Sequence, residues 1–359
     1  QIQLKSNQTL YLAEGAVVYS CVSAKDATNI RILGRGILDN SHNHEKILFE
    51  VEEDPEALAK HEAIRNAKRQ YTVELEYCEN IRIDGITIRD SLVYNIRPVA
   101  CRDVKISHVK VIGCWRYNSD GFDMHNCENV TIENCFLRTY DDCICVKGFD
   151  CYYTGDIAQM VREAMQRNGR VYDTFRHVRV RNCVLWNDWG KCLEIGAETK
   201  AEEMCDVIFE DCDVIHTTHT VLDCMNVDYA DVHGVTFEDI RCEYTKYQLP
   251  DTYQHDMTAP FAPAAPVRHP FLLAAPILRS GLFAKDGLNG CIHDITFRNI
   301  QILTDADDLP KPAVWIVGVD EAHNVKDMTV DGIYRDGVKL EKDEIEWNVN
   351  EFVSDIQFI

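Results

Sequence analysis

Short alternating segments recur along the chain. Each copy begins with a small polar residue, continues with apolar residues at alternate positions, and then carries Asn, Asp or Gly followed by Cys or Ile. A period of two is typical of a β-strand that buries one face, so each copy predicts a short strand. Copies begin at Asn80, Asp103, Asn129, His177, Asp206, Gly234, Asp294 and Asp327, with a weaker one at Asn29.

The spacing of the copies predicts how the strands are arranged. The first apolar positions are Ile81, Val104, Val130, Val178, Val207, Val235, Ile295 and Met328. Most intervals are 23 to 29 residues, which fits one turn of a solenoid, while intervals of 48 and 60 fit a turn or two with an insertion. A lone strand cannot bury its apolar face, but stacked turns do so. We therefore expect an all-β, right-handed parallel β-helix that forms a single domain over residues 1–359.

Cysteine also follows the repeat. Cys135, Cys183 and Cys212 occupy the same place in three copies, which predicts an inward ladder of small apolar side chains, with a redox or metal role as the alternative. The chain has 16 cysteines and no Cys-x-x-Cys pair. This usage favours a reducing compartment, and hence a cytoplasmic location over a periplasmic or secreted one.

Three segments interrupt the repeat. Residues 50–70 and 156–169 have the composition of helices. Residues 248–284 are rich in proline and otherwise apolar, and are too long for a simple connection. We expect this third segment either to cover a binding groove or to form a contact between subunits of a homo-oligomer.

The charge excludes some partners. Lys and Arg total 37 against 59 Asp and Glu, a formal charge of −22. Nucleic acids and anionic membranes both favour a basic face, so neither is expected as a partner. No apolar run reaches the roughly 18 residues of a membrane span, and the first residues read as a strand, not as a signal peptide.

Acidic residues are dense in two copies that lie about one turn apart. Asp120 belongs to the first group, and Asp141 and Asp142 belong to the second. Three neighbouring carboxylates cannot all ionise cheaply, so one should stay protonated near neutral pH. An acid beside a carboxylate base is what glycoside hydrolysis needs. Calcium binding and a solvated acidic edge remain as alternatives.

The same region resembles glycoside hydrolase family 28, the polygalacturonase family. Residues 118–148 read NSDGFDMHNCENVTIENCFLRTYDDCICVKG, similar to the family's Asn-Thr-Asp-Gly motif and to its Asp-Asp pair with a following Lys. The stretches from Ile2 and Val93 are also similar to the family. The resemblance implies a right-handed β-helix and hydrolysis with inversion, without a cofactor or metal. By this resemblance Asp141 is the general acid, Asp120 and Asp142 activate water, Asn118 orients them, and Lys147 lies nearby.

Two departures from the family pattern concern the substrate. Lys191 stands where the family usually has His, and residues 221–226 lack the Arg and Lys that grip a uronate carboxylate. These changes favour an oligo- or polysaccharide of neutral sugars, bound by Asp223, Glu194 or Glu198, although Lys191 alone could receive a uronate. A lyase with Lys191 as base, an intramolecular glycosyl transferase and a non-catalytic carbohydrate-binding β-helix are the alternatives.

Aromatic and histidine residues complete the candidate site. Trp115 and Tyr140 flank the acidic motifs and are expected to contact sugar, and His125 is a candidate for lining the site. Trp186 and Trp189 either stack on a sugar or pack between turns. The spacing of His216, His219 and His233 matches no familiar metal site, so no metal is expected.

Overall fold

The computed structural model describes residues 1–42, 71–116, 118–148, 174–245, 269–279 and 290–359. The helices predicted at 50–70 and 156–169 lie outside these ranges. The described residues form 30 strands, numbered β1 to β30 in chain order, and a single 3₁₀ turn at Lys342–Glu344. No helix among them is long and apolar enough to span a membrane.

The strands form two sheets with almost entirely parallel pairing. The 11-stranded sheet contains β1 (Ile2–Leu4), β4 (Val22–Lys25), β7 (Val73–Glu76), β10 (Ile96–Val99), β13 (Phe122–His125), β16 (Ile144–Lys147), β19 (Lys191–Ile195), β22 (Thr220–Cys224), β24 (Phe271–Pro276), β26 (Ala313–Val317) and β29 (Glu346–Val349). The 19-stranded sheet contains β2 (Thr9–Leu12), β3 (Val17–Tyr19), β5 (Thr28–Gly34), β6 (Ile37–Asp39), β8 (Glu79–Asp84), β9 (Thr87–Arg89), β11 (Arg102–Ser107), β12 (Lys110–Ile112), β14 (Glu128–Glu133), β15 (Phe136–Thr139), β17 (Thr174–Arg181), β18 (Val184–Asn187), β20 (Glu203–Glu210), β21 (Asp213–His216), β23 (Asp231–Tyr244), β25 (Cys291–Thr304), β27 (Val325–Arg335), β28 (Val338–Lys339) and β30 (Ile356–Phe358).

The 19-stranded sheet supplies two faces of the solenoid. One row of parallel pairs runs β2–β5–β8–β11–β14–β17–β20–β23, and a second runs β3–β6–β9–β12–β15–β18–β21–β23. Each coil thus adds one strand to each row and one to the 11-stranded sheet. The predicted right-handed parallel β-helix is confirmed.

The apolar positions of the repeat stack in register through the core. Ile81 pairs with Val104, Val104 with Val130, and Val130 with Val178, and the column continues in the same way to Met328. These side chains are almost fully buried, which is worth about 1.5–3 kcal/mol for each aliphatic side chain. Val130 and Val178 lie on adjacent coils, as do Val235 and Ile295, so both long intervals span one coil each.

The polar residues of the repeat turn the chain at the corners of each coil. The first residue of every copy has a left-handed backbone, with φ near 55° at Asn80, 54° at Asp103 and 58° at Asn129. Asn134 and Asn182, at the second polar position, have φ of 57° and 50°. Asn, Asp and Gly tolerate this conformation best, which explains why the repeat uses them. Their side chains also stack, as Asn182 Nδ2 donates to Asn134 Oδ1 across 2.6 Å.

The cysteine ladder is present as predicted. Cys135, Cys183 and Cys212 are buried on successive coils, and every cysteine in the described ranges is a free thiol. The interpretation of 248–284 as an insertion that interrupts the repeat is wrong for Phe271–Pro276. These residues form strand β24 of the solenoid, which pairs with β22 and β26. Its apolar composition reflects a strand buried between neighbouring coils. The rest of that segment, apart from 269–279, lies outside the described residues.

Candidate active site

Four neighbouring strands of the 11-stranded sheet bring the candidate residues together. Phe122 of β13 pairs with Ile144 of β16, and Ile144 pairs with Leu193 of β19. Asp120 and Asp142 each lie two residues before their paired position, so they are aligned on adjacent coils. Because parallel strands begin at the same edge, sequence motifs separated by one coil become spatial neighbours.

Backbone amides hold the two consecutive aspartates. Asp141 accepts hydrogen bonds from the N–H groups of Asn118 (3.2 Å) and Asp142 (3.0 Å). The N–H of Lys191, one coil later, donates to Asp142 Oδ1 across 2.8 Å. Asp120 and Asp141 are 2% and 5% exposed, whereas Asp142 is only partly buried. The carboxylates therefore have fixed orientations before any ligand binds.

Gly190 provides the space beside these carboxylates. Its φ is +139°, and a Cβ there would lie 2.7 Å from Asp142 Oδ1 and 2.9 Å from Asp141 Oδ1. Any larger residue would displace one of the two side chains. The departure from the family pattern at Lys191 drew attention to this stretch but gave no sign of the steric role of Gly190.

Lys147 neutralises a group of buried acids next to Asp120. Its Nζ lies 2.9 Å from Asp123, 3.4 Å from Asp120 and 3.5 Å from Glu198. Burial would lower the pKa of Lys147, but the carboxylates outweigh burial and raise it, so the lysine stays charged. Asp123 is fully buried and was not among the candidates, although it stands within the first motif.

Burial raises the pKa of Asp120 well above its usual range, and the charges of Asp123 and Asp141 add to this effect. Burial also raises the pKa of Asp123 to about 6, against the opposing charge of Lys147. A proton is therefore retained within this group at mildly acidic pH.

Lys191 is the centre of a second ion-pair group. Its Nζ donates to the Glu194 carboxylate and lies 2.8 Å from Asp223 Oδ2. Glu194 and Asp223 are paired positions of β19 and β22, and both are fully buried. Burial alone would lower the pKa of Lys191, but the charges of Asp223 and Glu194 outweigh the effect of burial and raise this pKa well above its usual value. The positive charge of Lys191 is thus balanced by two acids of the protein itself.

The aromatic candidates fall into different surroundings. Tyr140 is buried and stacks with Trp189 at 6.4 Å between ring centroids, beside Asp141. Trp115 is half-buried and donates from Nε1 to Asp90 across 2.9 Å. Trp186 lies in the other sheet, 4.7 Å from the Arg138 guanidinium, and is not part of this group. Sugar contacts for Trp115 and Tyr140 stay predictions.

The remaining histidine candidates also separate. His125 Nδ1 lies 3.0 Å from the Gly148 carbonyl, and the ring stacks on Tyr94, at the far end of β13 from Asp120. His216 packs on Trp186, and His219 contacts Thr220. In the described part of the chain these two do not join His233 in a metal-ligand cluster.

A metal at the acidic motifs is poorly supported by the geometry. Asp120, Asp142 and Cys145 place potential ligand atoms within 4.8 Å of one another. However, the Lys147 ammonium lies 3.4 Å from Asp120 and would repel a cation there. Calcium would also need six to eight oxygen ligands.

The sequence of this chain matches a known protein family. The sequence model of glycosyl hydrolases family 28 matches residues 1–249, which include all of the acidic residues described above. The chain belongs to glycosyl hydrolases family 28. Its family 28 membership was predicted from the two acidic motifs and is confirmed.

Relatives of this family 28 chain share short stretches at moderate identity. A probable polygalacturonase of Vitis vinifera is 36% identical over 86 residues, or 23% of this chain and 18% of that protein. The probable polygalacturonase At3g15720 of Arabidopsis thaliana is 31% identical over 93 residues, or 23% of this chain and 20% of that protein. The matched stretches thus span about a fifth of those relatives.

Solved structures resemble this family 28 chain over almost its whole length. A hyperthermoactive exopolygalacturonase from Thermotoga maritima gives a TM-score of 0.64 at 16% identity, covering 99% of this chain and 81% of that one. A polygalacturonase from Erwinia carotovora gives 0.55 at 14% identity, covering 97% and 85%. At these identities the likeness shows a shared fold.

Proposed function

We propose that the protein is an inverting glycosidase in which Asp141 is the general acid. The observation that carries this proposal is the convergence of Asp120, Asp141 and Asp142 from adjacent coils beside the cleared space at Gly190. Glycoside hydrolysis needs one carboxylic acid to protonate the leaving oxygen and a carboxylate to activate water. Family membership supports the assignment of this chemistry to these residues.

Asp120 and Asp142 are the proposed activators of water. Asp142 is the more exposed of the two, and the Lys191 N–H fixes one of its oxygens. The raised pKa of Asp120 makes its ionised form a stronger base than an ordinary carboxylate. Asn118 acts by orienting Asp141 through its backbone N–H.

We propose a neutral oligo- or polysaccharide as the substrate. Lys191, the one cation at the altered motifs, is already neutralised by Glu194 and Asp223. Glu194 Oε2 and Asp223 Oδ1 are buried without a hydrogen-bond partner among the described residues. The negative charge of these acids disfavours a carboxylate ligand nearby and does not repel a neutral sugar. An ion-paired lysine also provides little attraction for a uronate.

A lyase is less well supported by the same residues. A lysine that abstracts a proton needs a lowered pKa, whereas Asp223 and Glu194 raise the pKa of Lys191 despite its burial. The reaction proposed here therefore does not use Lys191 as a base.

Two measurements test the proposal. One is turnover by the Asp141→Asn variant, and the other is the stereochemistry of the product that the unmodified protein releases. Glycan hydrolysis should fall by about 10²–10⁴-fold in this variant while glycan binding survives, because a lost general acid costs that much. Asp307→Asn, at an exposed carboxylate, is the matched control. NMR of the first product should show an inverted anomer. Near-normal turnover in Asp141→Asn would exclude it as the acid, and net retention would exclude inversion.

A further inference from the structure

A second group of chemically reactive side chains lies on the 19-stranded sheet. Strands β20, β23 and β25 all begin with two half-buried residues on either side of a buried one, Met204, Val232 or Ile292. The half-buried residues are in register on three successive coils, and we call them the Cys-His ladder. One column is Glu203, Asp231 and Cys291, and the next is Cys205, His233 and His293.

One end of the ladder has the geometry of three ligands around a single point. Asp231 Oδ1 lies 3.1 Å from Cys291 Sγ and 2.9 Å from His293 Nε2. Zinc binds carboxylate oxygen and imidazole nitrogen at about 2.0 Å and thiolate sulfur at about 2.3 Å, so tetrahedral ligand atoms are separated by roughly 3.3–3.5 Å. The two contacts of Asp231 Oδ1 need to lengthen by only a few tenths of an ångström to reach these separations, and all three ligand atoms lie within 4.8 Å of one another.

The orientation of His293 is also that of a metal ligand. Its Nδ1 lies 2.7 Å from Asp294 Oδ2, a contact in which the ring N–H donates to the carboxylate. In the neutral ring, Nε2 is then an acceptor that faces another acceptor, Asp231 Oδ1. Either a second proton or a metal ion must lie between them. A histidine that donates one N–H to a carboxylate while its other nitrogen binds the metal is a recurrent arrangement.

The adjacent coil repeats the same chemistry. Glu203, Cys205 and His233 place potential ligand atoms within 4.8 Å of one another, and Glu203 Oε1 lies 2.9 Å from His233 Nε2. The His233 and His293 rings stack with centroids 4.9 Å apart, so the two sets of residues lie directly beside each other. Each set combines a carboxylate, a thiol and an imidazole.

The exposure of the cysteines sets the ladder apart from the core. Among the described cysteines only Cys21, Cys205 and Cys291 are partly exposed, and two of these three stand in the ladder. A carboxylate and a thiolate neutralise a dication, and an ion that binds releases the thiol proton to solvent. The mixed ligand set suits zinc better than calcium or magnesium, which prefer oxygen ligands.

We propose that the Cys-His ladder binds at least one zinc-type divalent metal ion. Asp231, Cys291 and His293 form the set with two short ligand–ligand contacts, and Glu203, Cys205 and His233 form a similar set with one. Both lie on a different sheet from the candidate active site. The proposal does not depend on the proposed glycosidase activity.

The test is zinc binding by the full chain after removal of any affinity tag and of bound metal by a chelator. Titration against a chromophoric competitor should give at least one tight equivalent. Combining Cys205→Ser, His233→Ala, Cys291→Ser and His293→Ala should weaken binding by more than about 100-fold, because even partners outside the ligand set cost 10–100-fold. Cobalt should give a thiolate charge-transfer band that is lost in the same variant.

The matched control carries His108→Ala and Cys21→Ser, which remove an Asp-paired histidine and a partly exposed cysteine outside the ladder. It should bind zinc like the unmodified chain. Circular dichroism checks that the four-residue variant keeps its strands, and the nearly isosteric Cys291→Ser alone provides a second test with cobalt. Weak zinc binding by the unmodified chain, tight binding that survives the four substitutions, or a cobalt spectrum without a thiolate band would overturn the proposal.

Discussion

The two buried lysines of the 11-stranded sheet are surrounded alike but serve different regions of the site. Lys147 forms ion pairs with Asp123, Glu198 and the motif residue Asp120, whereas Lys191 forms ion pairs with Glu194 and Asp223. Lys147 therefore opposes the rise in the pKa of Asp120 that burial and the neighbouring acids cause. Lys191 neutralises two acids at the altered motifs and leaves no excess positive charge for a ligand. Lys147 thus belongs to the region that matches the family motifs, and Lys191 to the region that departs from them.

The largest effect on turnover is expected from Lys147→Met. Removal of this charge takes the ammonium away from the buried Asp120, Asp123 and Glu198 and raises the pKa of Asp120 further. We expect turnover near neutral pH to fall by about 10²–10⁴-fold, the range for loss of an acid–base group. Steady-state kinetics on any hydrolysed glycan provides the measurement. Unchanged turnover would show that Lys147 does not influence the reaction.

Gly190→Ala tests the space beside Asp141 and Asp142. The added Cβ would approach Asp142 Oδ1 to 2.7 Å and so shift a proposed catalytic carboxylate. We expect kcat to fall by about 10²-fold, since a misplacement of about 1 Å can cost that much. Gly337→Ala, where a Cβ meets no atom within 4 Å, is the control for the backbone effect of a positive φ. Equal kcat for both variants would refute the steric role of Gly190.

Lys191→Met should affect stability more than chemistry. Breaking a buried ion pair by removing one partner costs about 3–5 kcal/mol, whereas turnover should change by less than about 10-fold if Lys191 is not a base. Urea unfolding measures the first effect, and kcat the second. Adding Glu194→Gln and Asp223→Asn should restore much of the lost stability. A loss of turnover comparable to that of Lys147→Met would contradict the proposed difference between the lysines.

The smallest expected effect is a shift in the pH dependence of kcat/KM. A base with a raised pKa loses activity as the pH falls through that pKa, so the acidic limb should lie above the usual carboxyl range. Asp123→Asn removes a charge that raises the pKa of Asp120, so the limb should move to lower pH. A shift to higher pH would argue against this role for Asp120.

Much of the fold followed from the sequence because each coil repeats one physical solution. Val104 and Val130 had to stack to bury one face, and Asn80 and Asp103 mark corners that need a left-handed backbone. Strand β24 was missed because a strand buried on both faces loses the alternating pattern. The single-domain organisation and the cytoplasmic location stay predictions.

The candidate site was only partly predictable. Asp120, Asp141 and Asp142 stand in contiguous motifs one coil apart, so spacing alone brought them together. The ion pairs of Lys191 with Glu194 and Asp223 depend on side-chain contacts that the repeat does not specify, although Glu194 and Asp223 are separated by 29 residues, the interval from Val178 to Val207. The residues of the ladder likewise follow the 28- and 60-residue intervals of the repeat, but they occupy half-buried positions that its apolar pattern does not mark.

The most direct test of the account is hydrolysis of a glycan panel that pairs uronic oligosaccharides with their carboxyl-reduced neutral forms and adds other neutral oligosaccharides. Product analysis would give kcat/KM for each member, with Asp141→Asn as the inactive reference. We expect the protein to hydrolyse neutral members of the panel and to prefer the carboxyl-reduced oligosaccharide in any pair that reacts. Turnover confined to uronic members, or no hydrolysis of any member, would contradict this expectation.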